Sequence, residues 1–288
     1  MNRLPVATRA AIIKGMVEGS SIRSVSRLTG ASKGAVLRLL AEVGGFCAAF
    51  QHYRLRRLPC VRVEADEVWG FCGAKEKNAT KPGQGDLWTY TAICADSKLL
   101  ISWLIGPRSK YATRAFIRDL AGRMAGKIQL TTDGLLWYEP AVRAAFGSER
   151  CDYGQIVKRY GVEVNPTAPI ASRRYSPAIC TGATKYAVMG RPKMEYVSTS
   201  YVERNNLAIR QGMKRMARLT NAFSKRAENH AHAFAIHAMH FNYCRPHGTL
   251  TKKANGTKTT PAMTAGLASR PWTVEDVLAR MDRIFVTL

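Results

Sequence analysis

The sequence predicts an α/β protein, a mixed sheet with helices on both faces, preceded by a small basic helical unit. Three observations lead there. The 288 residues are 46% apolar, ample for a sizeable core. Hydrophobic spacing is helical through the first fifty or so positions, turns to two-residue alternation near Val61, and then exchanges strand and helix periods along the chain. Finally, 44 Lys plus Arg stand against 20 Asp plus Glu, a net charge of +24. That surplus is too large for an ordinary soluble surface without a polyanionic partner, and nucleic acid is the leading candidate.

The elements follow in order. Residues 1–60 carry ten basic and two acidic side chains, making them about twice as basic per residue as the rest. Thr8 to Glu18 reads as a helix ending at Gly19, and Ser20 or Ser21 as the cap of a second with Ile22, Val25 and Leu28 at helical spacing. Gly30 permits a turn. Ser32 then caps a third helix, through about Glu42, whose buried stripe is Val36, Leu39 and Leu40. This is the outline of a helix-turn-helix. Lys33 near the start of the third helix and Arg38 on its outer face suit phosphates or guanine edges in a major groove; the alternative is a three-helix bundle whose charges face water. Arg54-Leu-Arg-Arg-Leu-Pro59 reads as a basic linker, giving units at 1–54, 55–250 and 251–288.

Val61, Val63 and Ala65 alternate with Arg62, Glu64 and Asp66 in a first strand, and Leu87–Cys94 and Leu99–Ile105 form two more around Ala95-Asp-Ser-Lys98. Tyr111 to Met124 is an amphipathic helix on Phe116, Ile117, Leu120 and Met124. Lys127–Thr132 is a fourth strand ending at Asp133-Gly134, Glu139–Phe146 a short helix, and Gln155–Val157 a fifth strand. The order implies a mixed sheet covered on both faces. Residues 161–197 show no period and read as a long basic loop. Helices return at Ser200–Leu219, Arg226–Tyr243 and from Thr273, where Thr-Val-Glu-Asp resembles a capping box.

The longest apolar stretch, Leu99–Ile105, is far shorter than a bilayer span, and no secretory h-region begins the chain. A cytoplasmic protein, nucleoid-associated when bound to DNA and without a membrane partner, is expected. Seven cysteines with no C-x-x-C pair argue against a disulfide framework and a zinc ribbon. His237 and His240 lie an i, i+3 step apart, but no acid or cysteine completes a metal set, and a core or surface role is the simpler reading.

From Arg204 through Arg226 there are seven basic residues and no acid, so Glu203 is a lone carboxylate heading a cationic helix. At about 100° per residue, Arg210 and Lys214 return to Glu203's face. Simple pairing at a helix N-terminus explains this equally well. Asp66 ends the first strand on the side of Glu64, with Glu67 opposite because side chains alternate, and Asp133 ends the fourth strand or caps the next helix. Strands one and four can be neighbours in such a sheet, and a helix laid across them brings Glu203 to the same cluster. Crowded carboxylates repel and raise one another's pKa unless a hard divalent cation neutralises them. Mg²⁺ meets that need, and two ions roughly 4 Å apart support in-line phosphoryl displacement.

The segments Val63-Glu-Ala-Asp66-Glu-Val-Trp-Gly-Phe, Thr131-Thr-Asp133-Gly, Ser200-Tyr-Val-Glu203-Arg-Asn-Asn-Leu and Arg218-Leu-Thr-Asn-Ala-Phe-Ser-Lys-Arg resemble the signature blocks of DDE transposases of bacterial insertion sequences, most closely the insertion-sequence-one (IS-one) type. Phe241-Asn-Tyr-Cys-Arg-Pro-His247 and Thr260-Pro-Ala resemble segments that follow the catalytic glutamate in related integrases. The similarity runs from about residue 20 to residue 280. It implies an RNase H-like fold in which Asp66, Asp133 and Glu203 are the catalytic, metal-binding triad for Mg²⁺ or Mn²⁺, with two ions, and Arg210 is the basic residue seven positions after the glutamate. The cysteine pairs of the zinc ribbon found in many relatives are missing. The implied reaction cuts insertion-sequence ends and joins the 3′-hydroxyl to target DNA. Its partners are terminal inverted repeats, a target duplex and, for synapsis, further copies of the chain as a homo-oligomer; Arg210 and Lys214 would grip phosphates beside the cut. A non-enzymatic DNA-binding regulator, or an RNase H-like nuclease or resolvase, are the alternatives.

Overall fold

A computed structural model of the chain describes residues 3–161 and 179–286. Helix α1 (Val6–Val17) stops before Gly19, whose φ is +81°. The Ser21 hydroxyl accepts the Ser24 N–H at 3.0 Å and opens α2 (Ile22–Thr29). Gly30, at φ +70°, turns the chain, and Ser32 accepts the Ala35 N–H at 3.2 Å to open α3 (Lys33–Arg54). These caps satisfy backbone donors that a helix start leaves unpaired. The strands and helices that follow are β1 (Arg62–Cys72), β2 (Gly85–Cys94), β3 (Leu100–Gly106), α4 (Lys110–Arg123), β4 (Ile128–Thr132), α5 (Tyr138–Arg150), β5 (Cys151–Gly161) and β6 (Ile179–Met189). Next come α6 (Ser200–Gly212), α7 (Ala227–Met239) with a π-helical turn at His240–Cys244, and the short helices α8 (Gly248–Lys253) and α9 (Pro261–Thr264). The last is α10 (Val274–Val286).

The strands form one six-stranded mixed sheet in the order β3-β2-β1-β4-β5-β6. β1 pairs antiparallel with β2 and parallel with β4, β4 parallel with β5, and β5 antiparallel with β6. The first and fourth strands are therefore neighbours. Helices flank both faces. Val63, Ala65, Tyr90, Leu130 and Tyr153 share a core with Phe116 and Leu120 of α4 and Val142 of α5. On the opposite face Val68, Ile93 and Leu100 pack with Val202 and Ile209 of α6 and Phe234 and Ala238 of α7. The first of these clusters continues without a break into Ile12, Val25, Val36, Leu40 and Val43 of the N-terminal helices and Met281 of α10.

Three stretches differ from what periodicity predicts. β6 falls inside 161–197, a segment that reads as loop; residues 162–178 of it lie outside the described residues. β6 is an edge strand, mostly exposed, so it carries little of the alternation that marks a half-buried strand. α6 ends at Gly212 rather than near Leu219, and Lys214 sits in a separate 3₁₀ turn, Lys214–Met216. The cause is packing: a Cβ on Gly212 would stand 3.1 Å from both the His237 ring and the Val17 carbonyl oxygen, so helix and neighbours meet at backbone distance.

α3 runs well past Glu42 because its glycine pair serves packing rather than termination. A Cβ on Gly44 would lie 2.4 Å from the Cβ of His232, so α3 and α7 touch where neither can spare an atom. Gln51 of α3 donates to the Ala235 carbonyl at 3.1 Å across the same contact. α3 is long and apolar enough to cross a membrane, yet Val36, Leu39, Leu40, Val43, Phe46 and Cys47 are all buried in the protein, which accounts for its composition. Gly44→Ala is expected to destabilise the fold by about 1–3 kcal/mol through overpacking. Gly45→Ala, where an added Cβ meets nothing within 4 Å, should be neutral or stabilising by up to about 1 kcal/mol from helix propensity; urea denaturation of both variants checks the contrast.

Candidate active site

β1 and β4 run parallel with Glu64 opposite Thr131. Two residues further on stand two aspartates, Asp66 within β1 and Asp133 just past the end of β4. β4 stops at Thr132 while β1 continues to Cys72, so a gap opens beside β1 at this level. Carboxylate oxygens of Asp66, Glu67 and Asp133 all lie within 4.8 Å of one another there. Alternation does place Asp66 and Glu67 on opposite faces, but the missing neighbour lets the longer Glu67 reach the same gap. Glu67 thus joins a cluster from which the alternation rule separates it.

The cluster is electrostatically uncomfortable. Burial, then the Glu67 and Asp133 carboxylates, push the Asp66 carboxyl up to about 8. Burial followed by Asp133 raises Glu67 to about 7. Compensation is partial. Arg108, resting 4.7 Å over the Trp88 ring, reaches Glu67 at 3.4 Å and Asp133 at 3.8 Å. Asp66 accepts the Glu67 N–H at 2.8 Å and the Asn206 amide at 2.7 Å, and Asp133 accepts the Leu135 N–H at 3.0 Å. Glu67 Oε1 is buried beside the Tyr138 hydroxyl. Three hard oxygen donors whose charge Arg108 offsets only in part fit a divalent cation of the Mg²⁺ or Mn²⁺ kind.

Helix α6 is fixed over this site by Glu64. Its side chain, 2% exposed, accepts the N–H groups of Tyr201 and Val202 at 2.8 and 3.0 Å. A carboxylate at a helix N-terminus satisfies orphan donors and opposes the helix dipole; burial nevertheless raises Glu64 to about 7. Glu203, on the next residue of the helix, accepts the Thr199 hydroxyl at 2.6 Å and pairs with Lys158. It stands outside the three-residue cluster among the described residues, close enough for its charge to raise Asp66 further. One turn later Asn206 makes the direct contact with Asp66.

The basic candidates are spread out. Arg210 is half-buried and donates to the carbonyls of Met216 at 2.9 Å and Trp69 at 3.4 Å, tying α6 to β1. Lys214 is exposed but has left the helical face of Glu203 because α6 ends first. Lys33 and Arg38 are exposed on the N-terminal half of α3. His230 and His237 are buried, and burial lowers both to about 3, so both rings are neutral core groups. The seven cysteines are free thiols. Sequence reasoning set Glu67 on the opposite face from Asp66 and did not single out Asn206, which becomes visible only through the helix docking.

No family model matches the chain, and no curated protein matches it. Among solved structures, similarity is found to a pre-cleavage Mos1 transpososome at 13% identity and a TM-score of 0.22, covering 53% of this chain and 59% of that one. The chain thus spans under two thirds of that neighbour, and at this score the likeness assigns neither fold nor function.

Two outcomes are expected. A carboxyl whose pKa is raised on folding binds its proton more tightly when folded, so its contribution is present below the unfolded value of roughly 4 and is lost as pH climbs through the folded one. With chelator present, the urea midpoint of Asp66→Asn should gain on that of the wild type as pH rises from about 5 to 8, the buried histidines, which respond in the opposite sense, cancelling in the comparison; a difference between the two proteins that does not change with pH would assign the titration to other groups. Glu64→Ala should cost about 1–3 kcal/mol by stranding two buried donors and speed hydrogen exchange at the Tyr201 and Val202 amides, whereas unchanged exchange there would deny Glu64 its anchoring role.

Proposed function

We propose that the chain is a DDE transposase of bacterial insertion sequences, of the IS-one type, with an RNase H-like catalytic unit. The observation that carries this reading is the convergence of Asp66, Glu67 and Asp133 in a half-buried gap of a chain with net charge +24. Polycationic proteins gather carboxylates in this way where a divalent cation has to meet a phosphate. The three-helix start, with Lys33 and Arg38 exposed on α3, supports a helix-turn-helix over 1–54 that reads element ends; residues 55–250 hold the catalytic unit and 251–288 a helical tail.

Asp66, Asp133 and Glu203 are the assigned triad, and Glu67 is added to the ligand set. When bound, two Mg²⁺ or Mn²⁺ ions supply Lewis-acid activation of the attacking oxygen and charge neutralisation at the departing one. The chain's own groups do the rest. Asn206 fixes the Asp66 carboxylate, and Arg108 holds Glu67 and Asp133 in the gap. Lys158 pairs with Glu203 beside the site. Lys214, Lys33 and Arg38 offer phosphate contacts from the surface, while Arg210 orients α6 and shares that role only with its unoccupied donors. The substrates are terminal inverted repeats and a target duplex, and joining two ends calls for a homo-oligomer in the cytoplasm or on the nucleoid.

Asp66→Asn, Asp133→Asn and Glu203→Gln should each abolish Mg²⁺-dependent cleavage and strand transfer while retaining duplex binding that falls steeply with salt. Gel assays on a terminal-repeat duplex plus a second duplex separate the readings. Cleavage without joining assigns a nuclease or resolvase, binding without cleavage a regulator, and full activity in any one variant removes that residue from the site.

A further inference from the structure

Arg108 stands where a bridging cation has to go. Two acids of the cluster each commit one oxygen to the protein: Asp133 Oδ1 accepts the Leu135 N–H, and Glu67 Oε1 lies beside the Tyr138 hydroxyl. The oxygens left over are Asp133 Oδ2 and Glu67 Oε2. A single guanidinium nitrogen of Arg108, Nη2, reaches both, at 3.8 and 3.4 Å. An ion bridging the two acids draws on the same oxygens at about 2.1 Å, and like charges repel, so ion and guanidinium compete. The arginine is also mounted to move. Its backbone is fixed on both sides, because the hydroxyl of the fully buried Tyr90 donates to the Pro107 carbonyl at 3.2 Å and accepts the Ser109 N–H at 3.3 Å. Ser109 in turn caps α4. The side chain beyond this pivot is 38% exposed, and neither carboxylate contact is as short as the roughly 2.7–2.9 Å of a strong charge-assisted bond. The Trp88 ring, 4.7 Å from the guanidinium, gives it a second support that does not depend on the acids.

We propose that Arg108 is an exchangeable stand-in for the divalent cation, a role that rests on the metal site proposed above. It neutralises part of the empty cluster, is displaced when an ion binds Glu67 and Asp133, and then turns its guanidinium to a DNA phosphate arriving at the site. Released over Trp88, the planar fork keeps the donor geometry that suits phosphate oxygens. The exchange gives loading an order. Before the ion enters, a phosphate meets a closed Glu67–Arg108–Asp133 bridge; afterwards it meets the ion and a free guanidinium. Ion and phosphate therefore favour each other's binding, and linkage makes that preference reciprocal. An arginine that only placed the ligands would act in the opposite sense, since removing it would weaken the hold on the ion.

Mn²⁺ binding to the full chain without DNA, followed by loss of the free-ion electron paramagnetic resonance signal, tests the exchange. Arg108→Gln should bind Mn²⁺ about three- to tenfold more tightly than the wild type, because the competing cation no longer holds the cluster. Arg108→Lys, which keeps the charge, should stay close to the wild type. Lys110→Gln, which removes an exposed charge two residues away, should change the affinity by less than about twofold. Duplex binding reads the second half. With Ca²⁺, which carboxylate oxygens also hold, Arg108→Gln should lose about tenfold in affinity; in chelator it should lose no more than Lys110→Gln. In the wild type itself, Mg²⁺ should shift the Nε resonance that is missing from Arg108→Lys. Mn²⁺ bound equally or more weakly by Arg108→Gln, a duplex loss no greater with Ca²⁺ than in chelator, or an Arg108 resonance that saturating Mg²⁺ leaves in place would overturn the exchange while the metal site stands. Mn²⁺ bound by none of these proteins would overturn both.

Discussion

Repulsion among Asp66, Glu67 and Asp133, whose oxygens crowd within 4.8 Å, is the constraint around which the neighbouring structure is arranged. β1 lies at the centre of the sheet and β4 stops short beside it, and that mismatch creates the gap. Arg108 enters from the β3–α4 connection, held against Trp88, and Asn206 enters from α6. Neither restores an ordinary carboxyl: burial first, and the neighbouring carboxylates second, still hold Asp66 and Glu67 raised. That uncompensated crowding is what the proposed divalent cation would relieve.

The second constraint is the placement of α6. Glu64 receives its first N–H groups, Arg210 clamps it to the carbonyls of Trp69 and Met216, and Val202 with Ile209 buries it on the sheet. The helix therefore meets the sheet through a buried acid at one end and a half-buried base near the other. Behind it, α7 is pinned against α3 by the bare backbone at Gly44 and by Gln51, and Asn242 exchanges hydrogen bonds of 2.9 Å with both backbone groups of Leu100 at the start of β3. Through these contacts the N-terminal helices and the sheet share one core.

Much of this was legible from residues alone. The Ser21 and Ser32 caps, the turn at Gly30 and the neighbouring of the first and fourth strands follow from local chemistry and element order. What escaped depends on tertiary contacts. Gly44 and Gly212 have the same side chain, yet one sits inside a continuous helix and the other ends one, according to the neighbour each approaches. β6 hides because an exposed edge strand needs no apolar face. Glu67 is separated from Asp66 by strand alternation and rejoins it only because β4 ends. Asn206 is a polar residue whose partner lies 140 residues away, and Lys98 looks like a turn lysine until its burial beside Tyr201 is seen.

The most direct measurement is anomalous diffraction from crystals of the full chain soaked in Mn²⁺. The account predicts a manganese peak coordinated by Asp66, Glu67 and Asp133, weakened or lost in Glu67→Gln. A well-soaked crystal with no peak between those carboxylates, or with manganese bound only elsewhere, would contradict it.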